Sequence, residues 1–323
     1  MYAMDLYYSS FITGFDKIIP TWMAADLPGA KILRVMDGAV LFSAELGGRS
    51  EKLEYLNNTF LVLDQFDGNA ANINVQQRIE APFKTFKLVT MRENQPSKLD
   101  GKIAARLIDR LEAATGAKFE SRPTDGRASP SGEFWIMTRS DGPALFMMRV
   151  TKHSYSPARG EIRPELAHIL CRLSEPASND VMLDPFCGSG AIILERSRIK
   201  DYRGVFASDI SSDAIAVLKS KTRKIKQAKF NKSVFIKQRD FFANDFNAAF
   251  FDCIITDPPW GEFAPIAPDF YDKFLFAAAR ILKSGGRMVL LCPRRSAFGA
   301  FRVVRSFDIL ANGKKAGVYL LAK

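Results

Sequence analysis

The chain of 323 residues carries 46 Lys and Arg against 35 Asp and Glu, a formal net charge of +11. With 47% hydrophobic and 25% charged residues it is long enough for two domains and is neither largely disordered nor fibrous. Four widely spaced cysteines and two histidines leave no disulfide framework and no zinc-binding pattern. An apolar run of about 18 residues is missing, so no membrane helix is expected. Met1–Leu6 lacks the pattern of a signal peptide, and the expected compartment is the cytoplasm.

From the N-terminus, Leu6–Thr13, Lys31–Met36, Ala39–Ala44 and Phe60–Phe66 read as strands, with Phe15–Asp26 as a short helix. Phe83–Met91 reads as a strand, and Lys98–Thr115 as a helix with Leu99, Ile103, Leu107, Leu111 and Ala114 on one stripe. Pro123–Gly132 is a loop by composition, followed by strands Glu133–Arg139 and Ala144–Val150. This half, residues 1–150, predicts one or two small α+β units, with a linker near Lys152–Gly160.

Residues 151–323 have a clearer rhythm. Val181–Asp184 is a strand, then Ala191–Lys200 a helix, then a strand ending at Asp209. A helix from Ser212 to Ala228 follows, then strands Ser233–Lys237 and Phe250–Thr256. A helix over Asp269–Leu282 is expected to stop at Gly285-Gly286, before a fifth strand, Arg287–Cys292. Strands alternating with helices predict a doubly wound, mostly parallel α/β sheet. Val303–Leu310 and Gly317–Leu321, joined across Asn312-Gly313, predict an antiparallel hairpin over residues 302–322.

Charge divides along the same line. Residues 1–150 hold 18 basic and 18 acidic side chains; residues 151–323 hold 28 and 17, the whole excess. Such an excess suits a polyanionic partner, or serves solubility alone. Lys219, Lys221, Arg223, Lys224, Lys226, Lys229 and Lys232 are either a solvated face or a phosphate track. Arg294-Arg295 could line the mouth of a site.

Two motifs carry chemistry. In Asp184-Pro185-Phe186-Cys187-Gly188-Ser189-Gly190 an acid ends a strand and glycines turn into a helix, letting a ligand approach the backbone. It is neither Gly-x-Gly-x-x-Gly nor a phosphate-binding Gly-Lys-Ser/Thr loop. Asp209, ending the second strand, could accept from ribose hydroxyls or simply cap a helix. Asp240, after the third strand, could face an adenine amine. In Thr256-Asp257-Pro258-Pro259-Trp260-Gly261 two prolines stiffen a turn and remove amide donors. Asp257 and a proline carbonyl could accept two N–H bonds from a planar base while Trp260 stacks on it, worth about 1–3 kcal/mol per base.

Together these motifs resemble the S-adenosylmethionine-dependent methyltransferases that modify exocyclic amines, and among them the THUMP-associated RNA guanosine-N2 methyltransferases. The stretch Gly160–Ala167, with Arg163-Pro164, is similar to the segment preceding their first motif, and the resemblance covers residues 155–323. Trp260 stands where those enzymes usually have Tyr. Phe83–Val150, with Arg122 and Arg127, resembles a THUMP module loosely, after a possible ferredoxin-like segment.

The resemblance implies a class I, Rossmann-like seven-stranded fold and S-adenosyl-L-methionine as cofactor, with no metal and no membrane. It places Asp184, Phe186, Gly188, Ser189, Gly190, Asp209, Ile210, Asp240, Phe241 and Arg163 at the cofactor, and Asp257, Pro258, Pro259 and Trp260 at the target base. It implies RNA, foremost guanine N2 in tRNA, as the partner. A DNA adenine-N6 methyltransferase shares the second motif, a protein-amide methyltransferase would more often carry Asn at 257, and a non-catalytic RNA-binding protein could retain the fold.

Overall fold

The computed structural model describes residues 4–46, 53–120, 132–151, 161–224, 233–243, 246–262, 265–311 and 313–323. The linker Lys152–Gly160, most of the loop Pro123–Gly132, Arg122, Arg127, Lys226, Lys229, Lys232, Asn312 and the end of the helix expected to reach Ala228 lie outside them. The chain divides into two compact units, Met1–Ser154 and Tyr155–Lys323.

The first unit holds β1 (Asp5–Ser10), α1 (Ile19–Asp26), β2 (Lys31–Met36), β3 (Ala39–Ala44), β4 (Asn58–Phe66), β5 (Thr85–Arg92), β6 (Gln95–Pro96), α2 (Gly101–Thr115), β7 (Lys118–Phe119), β8 (Gly132–Thr138) and β9 (Ala144–Arg149). They form one mixed sheet in the order β2-β3-β1-β4-β9-β8-β5-β6, with β7 beside β5. Side chains alternate between its faces. Phe86, Phe134, Ile136, Phe146 and Met148 pack with Leu107 and Leu111 of α2; Tyr8, Leu41, Phe60, Met137, Leu145 and Met147 build a second core.

Two helices begin later than their hydrophobic patterns predict. The Asp100 carboxylate accepts from the amides of Lys102 and Ile103, so α2 starts after it rather than at Lys98. In α1 the start falls at Ile19, beside Pro20, because Asp16 is engaged with the amides of Gly14 and Gly38.

The second unit holds α3 (Pro164–Leu173), β10 (Val181–Asp184), α4 (Ala191–Ile199), β11 (Gly204–Asp209), α5 (Ser212–Lys224), β12 (Val234–Gln238), β13 (Phe251–Thr256), α6 (Phe270–Ile281), β14 (Leu282–Cys292), β15 (Arg302–Ala311) and β16 (Lys314–Ala322). The seven strands run β12-β11-β10-β13-β14-β16-β15. The first five are parallel, and β16 is antiparallel to both β14 and β15, as the hairpin reading expects. Leu183, Ile254, Met288 and Leu290 pack with Phe274, Leu275, Ala278 and Ile281 of α6. The neighbouring residues Met182, Cys253 and Val289 are equally buried, so the central strands are apolar on both faces.

Gly285-Gly286 does not stop α6, contrary to expectation. The helix ends at Ile281, and β14 starts at once with Leu282 paired to Phe251. Arg287 then pairs with Cys253, so a bulge takes up the intervening residues. Gly285 supplies its positive φ of 74°, and a Cβ on Gly286 would meet Leu282 Cδ2 at 2.2 Å.

Candidate active site

Strand order reverses direction at β10, which has β11 on one side and β13 on the other. Open α/β sheets bind ligands at the carboxyl ends of strands beside such a point. There the chain places Asp184, Asp209 and Asp257, each at or just past a strand end.

Asp184 is 1% exposed. Its Oδ1 accepts from the Thr256 hydroxyl at 2.8 Å and the Phe186 amide at 3.3 Å. Burial pushes this carboxyl up to about 8, against those two donors, and the Asp209 and Asp257 charges add to the rise. The carboxylate therefore binds the ends of β10 and β13 together.

The two glycines after it do different things. Gly188 has φ 47°, its amide donates to Asp209 Oδ2 at 2.9 Å, and a Cβ there would meet nothing within 4 Å. Gly190 has φ 91°, opens α4, and a Cβ on it would sit 2.1 Å from Leu218 Cδ1. One glycine leaves space and the other permits packing. Cys187 is buried, and burial raises its thiol far above the ordinary range, so it is a packing residue rather than a nucleophile.

Asp209 accepts from Gly188 through Oδ2 and from the Ser211 amide through Oδ1 at 2.9 Å. Ile210, next to it, is 69% exposed. Asp240 is exposed and accepts from the Phe242 amide at 2.9 Å.

Other expected cofactor residues are turned to structural contacts. The Phe241 ring is buried against Phe186 and Phe274, at 5.7 and 5.5 Å between centroids. Phe186 also packs on Phe270 and Phe274. Phe186 and Phe241 thus face the core with their rings. The Ser189 hydroxyl donates to Glu161, which Lys221 reaches at 2.7 Å. Lys221 is also 3.1 Å from Ser189 Oγ, so it belongs to this cluster rather than to a free basic face. Arg163, at the start of α3, lies 3.4 Å from Glu165.

The second motif follows β13. The Trp260 indole N–H donates to Asp257 Oδ1 at 2.7 Å. Burial pushes the Asp257 carboxyl up to about 7; the Trp260 hydrogen bond opposes this, and the Glu262 charge adds to it. Glu262 is itself paired with Lys314. Pro258 is buried and, among the described residues, its carbonyl accepts no hydrogen bond. The exposed Pro259 offers its carbonyl to the Tyr271 hydroxyl at 3.1 Å. Arg295 lies 5.3 Å from the Tyr271 ring centre and 2.8 Å from Asp272, and Arg294 pairs with Asp308 at 3.0 Å. Arg295 thus supports the turn through Tyr271.

Thr256, Tyr271, Glu262 and Lys314 had no role in the sequence reading. A hydroxyl ending an otherwise apolar strand was the one readable signal, at Thr256. The other contacts depend on which elements the fold makes neighbours.

The model of the UPF0020 family, RMKL-like, methyltransferase domain, matches residues 154–309. A tRNA (guanine(10)-N2)-dimethyltransferase of Methanocaldococcus jannaschii is 27% identical over 144 residues, 42% of this chain and 39% of that protein. A protein of Methanothermococcus thermolithotrophicus named "Probable tRNA (guanine(10)-N2)-dimethyltransferase" is 30% identical over 140 residues, 41% of this chain and 81% of that protein. The match thus spans about two fifths of the first relative's length and four fifths of the second's. TrmN from Thermus thermophilus shares the fold, with a TM-score of 0.78 and 21% identity over 98% of this chain and 99% of that one. Among the described residues, no helix is long and apolar enough to cross a membrane. With both motifs at the carboxyl edge of the expected sheet, the chain belongs to the RMKL-like UPF0020 family of S-adenosylmethionine-dependent methyltransferases.

Proposed function

We propose that this chain methylates an exocyclic base amine in RNA, and that the amine is guanine N2 of a tRNA. The observation that carries the reading is the Asp257 carboxylate, held by Trp260 beside a Pro258 carbonyl that accepts no hydrogen bond among the described residues. The names of the relatives support tRNA and guanine N2 over DNA and adenine N6.

The open space at Gly188, with the Asp209 carboxylate on its amide, fits a ribose-bearing ligand. Each Asp209 oxygen accepts one backbone N–H and keeps a lone pair for a ribose hydroxyl. Ile210 offers an exposed apolar surface to a flat ring, and Asp240 an exposed carboxylate to its amine. Asp184 joins the glycine turn to β13 through Thr256 and the Phe186 amide. S-adenosylmethionine, when bound, supplies a methyl group already activated by sulfonium charge.

The acceptor amine is a poor nucleophile because its lone pair is delocalised into the base. Asp257 Oδ2 and the Pro258 carbonyl take its two N–H bonds, which favours a more tetrahedral nitrogen. A carboxyl near pH 7 is also suited to receive the proton the nitrogen sheds. The remaining acceleration is positional, and well-oriented reactants gain about 7–11 kcal/mol. A paired base reaches this turn only by flipping out, at a cost of a few kcal/mol.

Asp257→Ala tests the reading. Methyl transfer to RNA is expected to fall by at least about 100-fold, with the calorimetric affinity for S-adenosylmethionine unchanged. Transfer at the wild-type rate removes Asp257 from the chemistry.

A further inference from the structure

Building on the amine-methylation reading above, we infer that Trp260 is a positioning residue: its indole N–H holds Asp257 by Oδ1 and so turns Oδ2 to the substrate amine. A stacking role needs only an aromatic face. The geometry here uses a feature that Phe lacks and that a phenol places elsewhere.

The Nε1–Oδ1 separation of 2.7 Å is that of a charge-assisted hydrogen bond. Among the described residues, no other donor reaches this carboxylate. Only Pro258 and Pro259 separate the partners, and each proline fixes its own φ near −65°. The Tyr271 hydroxyl fastens the Pro259 carbonyl from α6, and Gly261, at φ 82°, reverses the chain directly after the indole. The backbone thus presents the ring nitrogen to the carboxylate with little freedom left to lose.

The electrostatic surroundings make this donor consequential. Glu262, from the turn, opposes the ionisation of Asp257, whereas Asp184 on β10 is itself raised by the Asp257 charge, to about 8, and so stays protonated while Asp257 titrates. Glu262 is paired with Lys314 of β16. Tyr271 of α6 and Cys292 at the end of β14 lie near it as neutral groups, both raised far from their ordinary values by burial, with Arg295 beside them. The indole N–H acts against burial and against the Glu262 charge, keeping the carboxylate charged closer to neutral pH.

Trp260→Phe keeps an aromatic face and removes the donor. kcat is expected to fall roughly 10- to 100-fold, with KM for RNA and the affinity for S-adenosylmethionine little changed. The acidic limb of the kcat profile is expected to move up by about one pH unit. A rise in KM with an unmoved limb overturns the inference and leaves stacking as the role. A second readout needs no turnover. Tryptophan emission of the wild type, minus that of Asp257→Asn, is expected to show a transition near pH 7. A flat difference curve also overturns it. A wild type that methylates no RNA refutes the substrate reading instead, and the fluorescence titration still decides the Trp260–Asp257 contact.

Discussion

Asp184 and Asp257 are carboxylates at neighbouring strand ends, and their partners give them different work. Asp184 is enclosed and meets Thr256 and the Phe186 amide; Asp257 meets an indole and keeps one oxygen clear. The rise of Asp184 to about 8 has a definite sign for stability. A folded value above the ordinary one means the folded state holds its proton longer. Its stabilisation is complete below about pH 4 and is lost as pH climbs through 8. Asp184→Asn keeps an acceptor for Thr256 and removes the buried charge. Urea unfolding at pH 8 is expected to show the variant more stable by about 1–3 kcal/mol, with the gap closing at pH 5. A variant less stable at pH 8 contradicts this account. At this scale the sequence exposes residues whose type is unusual for their place, such as acids after apolar runs and glycines entering a helix. It conceals pairings between distant residues, such as Thr256 with Asp184, and Lys221 with Glu161.

Among elements, the turn between β10 and α4 concentrates the constraint. Gly190→Ala forces a side chain into a left-handed position and onto Leu218, and is expected to cost about 2–4 kcal/mol. Gly188→Ala meets open space and bears only backbone strain of about 1–3 kcal/mol. Its methyl group would occupy room assigned to the cofactor, so affinity for S-adenosylmethionine is expected to fall by more than stability does. Thermal unfolding and calorimetry on the pair separate the roles, and equal losses in both properties would contradict the division. Alternating strands and helices were legible in residues 181–322 because the buried strands are short apolar runs between polar, helix-patterned stretches. The joint between α6 and β14 was not. Gly285-Gly286 has the composition of a helix stop, and only pairing with β13 shows that Leu282 is already in the sheet. Helix α3 was also missed, because Arg163-Pro164 was read as part of a motif rather than as a helix start.

At the scale of the molecule, the charge of +11 lies wholly in residues 151–323. Lys221 is committed to Glu161 and Arg295 to Asp272, so the attraction for a polyanion rests on fewer free cations than the composition suggests. Lys219 and Arg223 remain exposed on α5. Residues 1–150 carry no net charge, and an RNA contact there would rely on shape and a few placed side chains. Their sheet was only partly legible, since the two-residue strands β6 and β7 leave no periodic trace. The parallel pairing of β5 with β8 joins segments separated by α2, which no local pattern reveals. Methylation of a guanine amine in tRNA at the carboxyl edge of the second sheet can be measured on the product itself. Unmodified tRNA, rRNA and DNA are incubated with isotopically labelled S-adenosylmethionine and the protein, and the nucleosides are resolved by mass spectrometry. Label is expected in N2-methylguanosine from tRNA; label in N6-methyladenine from DNA, or in no nucleic acid, would contradict a tRNA guanine-N2 specificity.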